Sequence, residues 1–587
     1  MKKEFDKLPV FTKALFNFAD SKKETFCTPI HDAGSLFDHF DIGKTFKGFL
    51  GENIFKCDTS ASAVEMGSLL DNSGPYGEST AYLAKILNVD RAFPILNGTS
   101  TANKFVADLS VSGGDTVLVD RNCHKSIAHF LMGNDVKPLY FTPARNSYGV
   151  LGTIPYTEFE DIDGLMKKYG ATKYPTYAVV TNSTYDGIFY NTQRIVDSLK
   201  KVKTIHFDEA WVTYASFYDM YIQQSGHRTV PNVDQRIVQT TSVHKLAGAF
   251  SMASIATVKG KYNEHLASEL FMKYTTTSPF YPMMASIEMS IAMLSEDKKT
   301  GSHVFQNTVK NALYLRKELK KEFLKHKAEG KWYFDVWQPE NLVENSVWEL
   351  KPEDTWHGYE DIKAGEAYLD PLKVSILFPN KAEFGIPARV VSKYLELNGI
   401  IIEKTNPYTM LILVSASSSK SKIEKLLKTL EKFYKEFEKN LPLKDILPSI
   451  FAEDPIFYEG KTIQEVTKMI NDIYIERKIE YQTQHSLDVL PEQVYTPYHA
   501  FQYFKREEVK TIKLKEIKDE ICATILLVYP PGICIYYPGE RITSSDSGYL
   551  QLRALEEGGK LMPGFDFEIH GSFKDCDGDL CITVISE

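Results

Sequence analysis

The sequence has 587 residues, 43% hydrophobic and 25% charged, a composition typical of a globular protein rather than a disordered or fibrous chain. The 68 lysine and arginine residues and 77 acidic residues give a net charge of −9, which argues against a nucleic-acid-binding protein. Seven cysteines, an odd number without a C-x-x-C pair, fit the reducing cytoplasm better than a disulfide framework.

The first segment of the chain, MKKEFDKLPVFTKAL, carries charges where a signal peptide requires an apolar stretch. The longest apolar segment, residues 521–537, is interrupted by Pro530 and Pro531, so no run reaches the ~18 apolar residues of a membrane helix. The sequence therefore predicts a cytoplasmic protein that binds neither a membrane nor nucleic acid.

Short apolar runs alternate with helix-length segments in the first half of the chain. This alternation predicts an α/β fold with a mostly parallel sheet and helices on both faces. Such sheets bind ligands beyond the carboxyl ends of their strands, so the residues that follow each run are the candidates for a site. The predicted strands are 92–96, 115–120, 176–181, 203–208 and 236–241, and the predicted helices include 99–112 and 189–201.

The second half of the chain repeats the pattern on a smaller scale. A long predicted helix precedes two strands and two further helices, which indicates a smaller α/β unit, and a proline-containing stretch is predicted to link this unit to a C-terminal region. The long helix is 302–325, the strands are 374–379 and 410–416, the helices are 387–397 and 421–439, and the linker is 441–455.

The segment ILNGTSTANK, residues 95–104, is predicted to form the end of a strand, a glycine turn and the start of a helix. Ser100 and Thr101 would then lie beside the first amides of that helix, where phosphate binds readily, although a simple helix cap is the alternative. The G-K-T at residues 43–45 lacks the preceding glycine of a P-loop and is discarded.

The segment DRNCHKS, residues 120–126, follows another predicted strand. Cys123 and His124 are adjacent, and neighbours in an extended chain point to opposite faces, which argues against a thiol–imidazole pair. His124 is either a structural residue or a flat ring that stacks on an aromatic ligand.

The segment HFDEAWVTY, residues 206–214, places Asp208 at the end of a strand in apolar surroundings. A buried carboxylate requires a cationic partner. His206 and Asp208 are also conceivable metal ligands, but no third ligand has a telling spacing, and we expect no metal site.

Lys245 follows the next predicted strand and precedes thirteen residues without a charge, LAGAFSMASIATV. Surroundings of low polarity favour the neutral amine of a reactive lysine. The strand ends thus supply phosphate donors, a stacking ring, a buried acid and a lysine. Pyridoxal phosphate needs these groups for its phosphate, its ring, its pyridine nitrogen and its aldehyde, so the sequence predicts an enzyme that uses this cofactor.

The chain resembles the bacterial ornithine/lysine/arginine decarboxylases, which are pyridoxal-phosphate enzymes of the aspartate-aminotransferase fold (fold type I). The resemblance covers nearly the whole length in order, and EKTNPY and PGERIT are most similar to the inducible lysine decarboxylases. The motifs are NGTSTANK, DRNCHKS, TNSTYDGIFYNT, HFDEAWVTY, SVHKLAGAFSMAS, TTTSPFY, DTWHGYED, YLDPLKVSILFP, FGIPARVV, IIEKTNPY and YPPG…PGE.

The resemblance implies a role for each candidate residue. Lys245 would carry the cofactor, Asp208 would pair with the pyridine nitrogen, and His124 would stack on the ring. Glu403 would bind the distal amine of the substrate, with a surface glutamate paired to Lys404 as the alternative. The other implied positions are Ser100, Thr101 and Ser242 at the phosphate, Ala210 and Trp211 near the cofactor, His244 near Lys245, and Thr277 or Ser278 at the phosphate of a second subunit.

The resemblance also implies a homodimer with shared active sites and four segments along the chain. These are an N-terminal dimerisation segment (1–62), a cofactor-binding large domain (63–300), a small α/β domain (301–440) and a C-terminal α+β decarboxylase domain (441–587).

Two departures from the family pattern affect these expectations. Relatives commonly begin with a wing domain that helps to build decamers, whereas this chain starts at the core, so we expect no decamers of that type. Relatives also carry a glycine-rich PGHxGG segment near the active-site entrance, where this sequence has TPIHDAG, a change that bears on substrate range.

The predicted function is pyridoxal-phosphate-dependent decarboxylation of a basic amino acid, with lysine as the substrate and cadaverine as the product. Arginine or ornithine decarboxylation is the alternative within the family. Transamination, with Arg389 binding the α-carboxylate, and a non-catalytic regulatory role are the alternatives outside it. Decarboxylation consumes a proton, which suggests a role in acid tolerance or polyamine supply.

Overall fold

The computed structural model describes residues 2–21, 23–300, 303–360, 362–529 and 532–586. Pro530 and Pro531, which belong to the YPPG motif, lie outside these ranges. Within the described ranges, none of the helices is long and apolar enough to cross a membrane.

The chain forms two compact units whose segments interleave along the sequence. These units group segments by spatial contact and do not test the predicted domain boundaries, which stay a prediction. The first unit comprises Met1–Ser112, Tyr174–Asn182 and Thr192–Ser302, and the second comprises Gly113–Lys173, Ser183–Asn191 and His303–Glu587.

The strands are short and are spread over the whole chain. They are β1 (Arg91–Ile95), β2 (Thr116–Asp120), β3 (Lys137–Phe141), β4 (Tyr177–Thr181), β5 (Ile188–Phe189), β6 (Thr204–Asp208), β7 (Arg236–Ser242), β8 (Ser254–Lys259), β9 (Asp335–Val336), β10 (Trp348–Glu349), β11 (Tyr368–Leu369), β12 (Lys373–Leu377), β13 (Lys404–Thr405), β14 (Thr409–Leu413), β15 (Val509–Lys513), β16 (Asp519–Ile521), β17 (Leu526–Tyr529), β18 (Ile533–Tyr536), β19 (Arg541–Thr543), β20 (Glu568–His570), β21 (Ser572–Lys574) and β22 (Leu580–Ile585).

The α-helices range from single turns to a helix of 25 residues. They are α1 (Lys2–Phe5), α2 (Val10–Asp20), α3 (Asp41–Leu50), α4 (Glu52–Cys57), α5 (Gly74–Leu87), α6 (Thr99–Asp108), α7 (Lys125–Gly133), α8 (Tyr156–Glu160), α9 (Ile162–Lys168), α10 (Thr192–Ser198), α11 (Val243–Leu246), α12 (Glu264–Tyr274), α13 (Tyr281–Thr300), α14 (Val304–Ala328), α15 (Ala388–Leu397), α16 (Lys420–Glu438), α17 (Leu443–Ile446), α18 (Pro448–Glu453), α19 (Pro455–Tyr458), α20 (Ile463–Glu476), α21 (Ile479–His485), α22 (Pro497–Lys505) and α23 (Ser547–Leu561).

The first unit contains strands in the order β1-β8-β7-β6-β4. Strands β4, β6 and β7 pair in parallel, whereas β8 pairs antiparallel with both β7 and β1. In the second unit β2 and β3 also pair in parallel. The predicted α/β class and the mostly parallel pairing are therefore confirmed, as are the five predicted strands of this half, which correspond to β1, β2, β4, β6 and β7.

Strand β8 gives a structural reason for the uncharged stretch after Lys245. Its six residues, SIATVK, lie between β7 and β1, and all but Lys259 are buried. A charge would be costly at such positions without a partner. The missing charges were predicted to serve the amine of Lys245, but residues 254–258 lack charge because they form an inner strand.

The second unit contains the smaller α/β region that the sequence predicted. Strands β13, β14, β12 and β9 form one antiparallel sheet. Helix α16 begins after Ser419, whose side chain accepts a hydrogen bond from the Lys422 amide. Its apolar residues recur every three or four positions, which puts them on one buried face. These residues are Ile423, Leu426, Leu430, Phe433 and Phe437.

The stretch 441–455, predicted to be a linker, is instead ordered as α17 and α18. Leu443, Leu447 and Ile450 are buried, so this stretch packs into the unit. Beyond it, α20 to α23 accompany the antiparallel sheets β15-β22-β21, β16-β19 and β18-β17-β20, which gives the predicted α+β character to this region.

Candidate active site

The carboxyl ends of three parallel strands are aligned in the first unit. Thr181 of β4 is the register partner of Asp208 on β6, and Asp208 is the partner of Thr240 on β7. Strand β7 ends at Ser242 and leads directly into α11, the short helix that contains Lys245. Local chain geometry therefore brings the predicted acid and the predicted lysine to neighbouring strand ends.

Asp208 is a buried carboxylate with two hydrogen-bond donors. Its side chain is 3% exposed. Oδ2 accepts a hydrogen bond of 2.8 Å from Asn103 Nδ2, and Oδ1 accepts one of 3.2 Å from the Ala210 amide. Burial raises the pKa of Asp208, while the Asn103 bond, the positive charge of Lys245 and the Ala210 amide act against that increase. The arrangement favours an acceptor over a proton donor at this position.

Lys245 extends its amine over the indole ring of Trp211. The Nζ atom lies 3.6 Å from the ring centroid, a distance at which the π face attracts a cation. Both side chains are partly exposed. The amine is therefore held near the segment that follows Asp208, and its charge contributes to the electrostatics of that carboxylate.

His244 has a defined proton position. Its Nδ1 lies 2.8 Å from the carbonyl oxygen of Ala253, so Nδ1 must carry the hydrogen and donate it. Burial lowers the pKa of His244, which favours the neutral ring. Nε2 of the residue adjacent to Lys245 is therefore a proton acceptor.

A group of hydroxyls lies at the start of α6. The Thr99 Oγ1 atom is 2.5 Å from Ser242 Oγ and 2.8 Å from Ser254 Oγ. Helix α6 begins at Thr99, directly after Gly98, whose φ of 87° suits glycine. Ser242 and the first amides of α6 thus converge, as an anion site requires. Thr99 and Ser254 were missed from the sequence, although Thr99 stands inside the NGTSTANK motif.

The other predicted phosphate residues have mixed surroundings. Ser100 is exposed in the first turn of α6, and Thr101 is buried with its hydroxyl donating to the Asn97 carbonyl at 3.1 Å. Thr277 and Ser278 are exposed in the turn between α12 and α13. That exposure is what contact with a second subunit requires, and their predicted role stays a prediction.

In the second unit, His124 caps the start of α7. Its Nδ1 accepts a hydrogen bond of 3.2 Å from the Ser126 amide, which fixes the position of the ring. The neighbouring Cys123 is fully buried. The stacking role of His124 stays a prediction.

Glu403 bonds a tyrosine, and the alternative interpretation of Glu403 as a partner of Lys404 is wrong. Glu403 Oε1 accepts a hydrogen bond of 2.5 Å from the Tyr185 hydroxyl. Lys404 Nζ instead donates to both oxygens of Asp186, at 2.6 and 2.8 Å. Burial and the Glu403 carboxylate raise the pKa of Tyr185, so the hydroxyl remains a donor.

Two alternatives from the sequence lose support. The guanidinium of Arg389 donates one hydrogen bond to the Asp566 carbonyl and lies 4.5 Å from the Phe567 ring centroid, so these contacts hold part of the side chain that transamination would need for the α-carboxylate. Both ring nitrogens of His206 bond protein hydroxyls and are not directed at a metal.

A cluster with metal-ligand spacing does exist elsewhere in the described part of the chain. It consists of Asp575, Asp577 and Asp579. Lys513 lies 2.9 to 3.1 Å from these three carboxylates, and Lys515 also pairs with Asp579. Lys560 also pairs with Asp579, so three lysines balance the three carboxylates.

Comparison with known proteins gives a consistent result. Residues 9–422 match the family model described as Orn/Lys/Arg decarboxylase, major domain, and residues 480–586 match the model of the Orn/Lys/Arg decarboxylase C-terminal domain. The inducible lysine decarboxylase of Escherichia coli strain K12 is 42% identical over 589 residues, which cover 99% of this chain and 82% of that protein. The biodegradative arginine decarboxylase of the same strain is 30% identical over 606 residues, which cover 96% and 80%. The crystal structure of the lysine decarboxylase LdcF of Francisella novicida has a TM-score of 0.93 at 41% identity, covering 99% of this chain and 82% of that one.

Proposed function

Because the chain belongs to the Orn/Lys/Arg decarboxylase family and is a decarboxylase, we propose that it uses pyridoxal phosphate to convert L-lysine to cadaverine and CO₂. The observation that carries the proposal is the pair formed by Lys245 and the buried Asp208 at neighbouring strand ends. An amine and an acceptor carboxylate are the two groups that this cofactor needs from the protein for its chemistry.

The residues fit the cofactor at three points. Lys245 offers an amine for the aldehyde, and Asp208 offers a carboxylate that already faces two N–H donors and suits a third, the protonated pyridine nitrogen. The first amides of α6 offer donors for the phosphate, and Ser242 and Thr99 lie beside them. When bound, pyridoxal phosphate supplies a protonated pyridine ring that accepts the electron pair left by departing CO₂.

The protein residues then have separate tasks. Asp208 holds a proton at the pyridine nitrogen by accepting its hydrogen bond, and the buried surroundings strengthen that interaction. Lys245 would hold the cofactor through its amine, the group that can bond the aldehyde. His244, with Nδ1–H bound to the Ala253 carbonyl, offers Nε2 as a proton acceptor beside Lys245.

Glu403 is the proposed selector of lysine. A basic amino acid carries a distal cation, and burying that cation requires a fixed counter-charge. The Tyr185 hydroxyl holds one oxygen of Glu403 and so restricts where the carboxylate points. Arginine would need a wider acceptor for its fork of donors, and the lower identity to the arginine enzyme, 30% against 42%, also favours lysine. Ornithine is one methylene shorter, and such neighbours differ by only about 1–3 kcal/mol in binding, so some ornithine turnover is expected.

We further propose a homodimer in the cytoplasm that completes its active sites across two subunits. Large apolar side chains of the N-terminal region, including Phe26, Ile42 and Phe49, are almost fully or strongly exposed in the single chain, as expected for surface that a second copy covers. The exposed Thr277 and Ser278 are then available to the partner's phosphate. The cysteines form no disulfide with one another in the structure, which suits a reducing compartment.

The test is an assay of CO₂ and amine release with lysine, arginine and ornithine, run with added pyridoxal phosphate. We expect cadaverine from lysine at the highest kcat/KM and consumption of one proton per turnover, which suits a role in acid tolerance or polyamine supply. Higher kcat/KM for arginine or ornithine would contradict the substrate, and keto-acid formation without CO₂ would contradict the reaction.

A further inference from the structure

A continuous line of hydrogen bonds leads through the interior of the first unit to Asp208. The Tyr177 hydroxyl is 2.6 Å from His206 Nδ1, and His206 Nε2 is 2.9 Å from Thr240 Oγ1. The Thr240 hydroxyl is 2.6 Å from Asn103 Oδ1, and Asn103 Nδ2 is 2.8 Å from Asp208 Oδ2. None of these five side chains is more than 3% exposed. We call Tyr177, His206, Thr240 and Asn103 the Asp208 relay.

The strand pairing explains why these side chains meet. His206 and Asp208 are two residues apart on β6 and therefore face the same side of the sheet. Thr240 is the register partner of Asp208 on the adjacent strand β7, and Tyr177 begins β4 on the other side of β6. Asn103 reaches the same place from α6. Strand β6 thus contributes two of the five side chains in the line, and β4, β7 and α6 contribute one each.

The hydrogens of the relay have one consistent direction. The Oδ1 atom of Asn103 is only an acceptor, so the single hydroxyl hydrogen of Thr240 is donated to it. Thr240 Oγ1 must then accept from His206, which puts the hydrogen on Nε2. Burial lowers the pKa of His206 to about 3, so the ring is neutral, Nδ1 is an acceptor, and the Tyr177 hydroxyl donates to it.

Every donor in the line therefore points toward Asp208, and the last acceptor is its carboxylate. Hydrogen bonds in a chain of this kind polarise one another, and the low polarity of the interior strengthens the effect. The bond from Asn103 is the largest influence that opposes the burial-induced increase in the pKa of Asp208. A carboxylate at the end of such a line is a fixed acceptor.

We propose that the Asp208 relay positions Asp208 and keeps it an anionic acceptor for the pyridine nitrogen of the cofactor. The proposal rests on the proposed function, because it requires pyridoxal phosphate at this site. Thr240, His206 and Tyr177 are positioning residues, since they act through Asn103 and Asp208 and not on the reacting atoms.

The experiment measures cofactor binding to the apoprotein and needs no turnover. Two ligands are titrated, pyridoxal phosphate and its analogue in which a CH group replaces the ring nitrogen. Their dissociation constants give a preference for the nitrogen, which isolates the contact with Asp208 from the phosphate and aldehyde contacts. We expect Thr240→Val, which removes the hydroxyl at nearly constant volume, to reduce this preference about tenfold, the equivalent of one ordinary hydrogen bond.

Three further variants separate positioning from a general effect on folding. Thr240→Ser keeps the hydroxyl and should restore most of the preference, and Tyr177→Phe, at the far end of the line, should reduce the preference less than Thr240→Val. Thr257→Val is the matched control. It removes a buried hydroxyl from β8 that bonds another buried histidine, His227, at 3.1 Å, so it should lower stability without altering the preference.

The outcomes distinguish the two proposals. If wild-type protein binds neither ligand, the proposed function fails, and the relay proposal fails with it. If wild-type protein prefers the ring nitrogen and Thr240→Val or Tyr177→Phe shows the same preference, the relay proposal alone is wrong. Equal losses in Thr240→Val and Thr257→Val would also overturn it, because the effect would then follow from any buried hydroxyl.

Discussion

Replacing Asp208 by asparagine is the most direct perturbation of the proposed electron sink. The substitution exchanges one carboxylate oxygen for an NH₂ group and removes the negative charge. In the structure both oxygens face donors, Asn103 Nδ2 at 2.8 Å and the Ala210 amide at 3.2 Å. Whichever way the new amide turns, its NH₂ group meets one of these donors, and an unsatisfied buried donor costs about 1–3 kcal/mol of folding free energy.

The effect on turnover should be larger than the effect on folding. A neutral amide cannot balance the protonated pyridine nitrogen, and removing one member of a buried charge pair costs about 3–5 kcal/mol. At about 1.4 kcal/mol for each factor of ten, kcat should fall roughly 10²- to 10⁴-fold. Cofactor should still bind, because Lys245 and the phosphate donors are unchanged.

The assay is CO₂ release from lysine at saturating pyridoxal phosphate, combined with denaturant unfolding of the apoprotein. Glu209→Gln is the matched control. Glu209 is buried next to Asp208, and its carboxylate accepts bonds from Asn182 at 2.6 Å and the Gly226 amide at 2.7 Å, so this variant should lose stability but little of kcat. Wild-type kcat in Asp208→Asn, or an equal loss of kcat in Glu209→Gln, would refute the assignment of Asp208.

Four further outcomes are expected. Lys245→Ala should abolish CO₂ release, and wild-type turnover would contradict the role of its amine. Glu403→Gln should raise KM for lysine about 10- to 100-fold, the value of a hydrogen bond to a charged group, with cofactor affinity unchanged; an unaltered KM would make Glu403 structural. Glu288→Gln should lower the free energy of unfolding by about 1–3 kcal/mol in urea, because its carboxylate accepts from the Phe11 and Thr12 amides at 3.1 and 2.8 Å; unchanged stability would show that these bonds contribute nothing net. Light scattering of the active protein should give a dimer, and an active monomer would contradict shared sites.

Periodicity predicted most of the fold because strands and helices impose different spacings on apolar residues. The five early strands, the long helix α14 and the amphipathic α16 are all located to within a few residues. The stretch 441–455 was misjudged because its prolines were taken as linker signals. Proline also suits the first turn of a helix, where no amide donor is needed, and Pro448 and Pro455 begin α18 and α19.

The sequence could predict only those site residues whose side-chain type and position already indicate a chemical role. Asp208 and Lys245 stand out because an acid and a lysine end adjacent apolar runs. Thr240 and Asn103, the partners that set their properties, are ordinary polar residues. Their importance depends on the register of the strands, which cannot be read from the sequence.

One local pattern could have identified part of this environment. Thr99 and Asn103 are four residues apart in α6, so they lie on the same face of the helix. Ser100 and Thr101, the residues predicted from the sequence, lie beside that face. Helix α6 starts beside the ends of strands β6 and β7. One face of the helix therefore brings Thr99 into contact with Ser242 and Asn103 into contact with Asp208. The first turns of α6 therefore connect the phosphate end of the proposed site to its acid, and a shift of this helix by one residue would displace both contacts together.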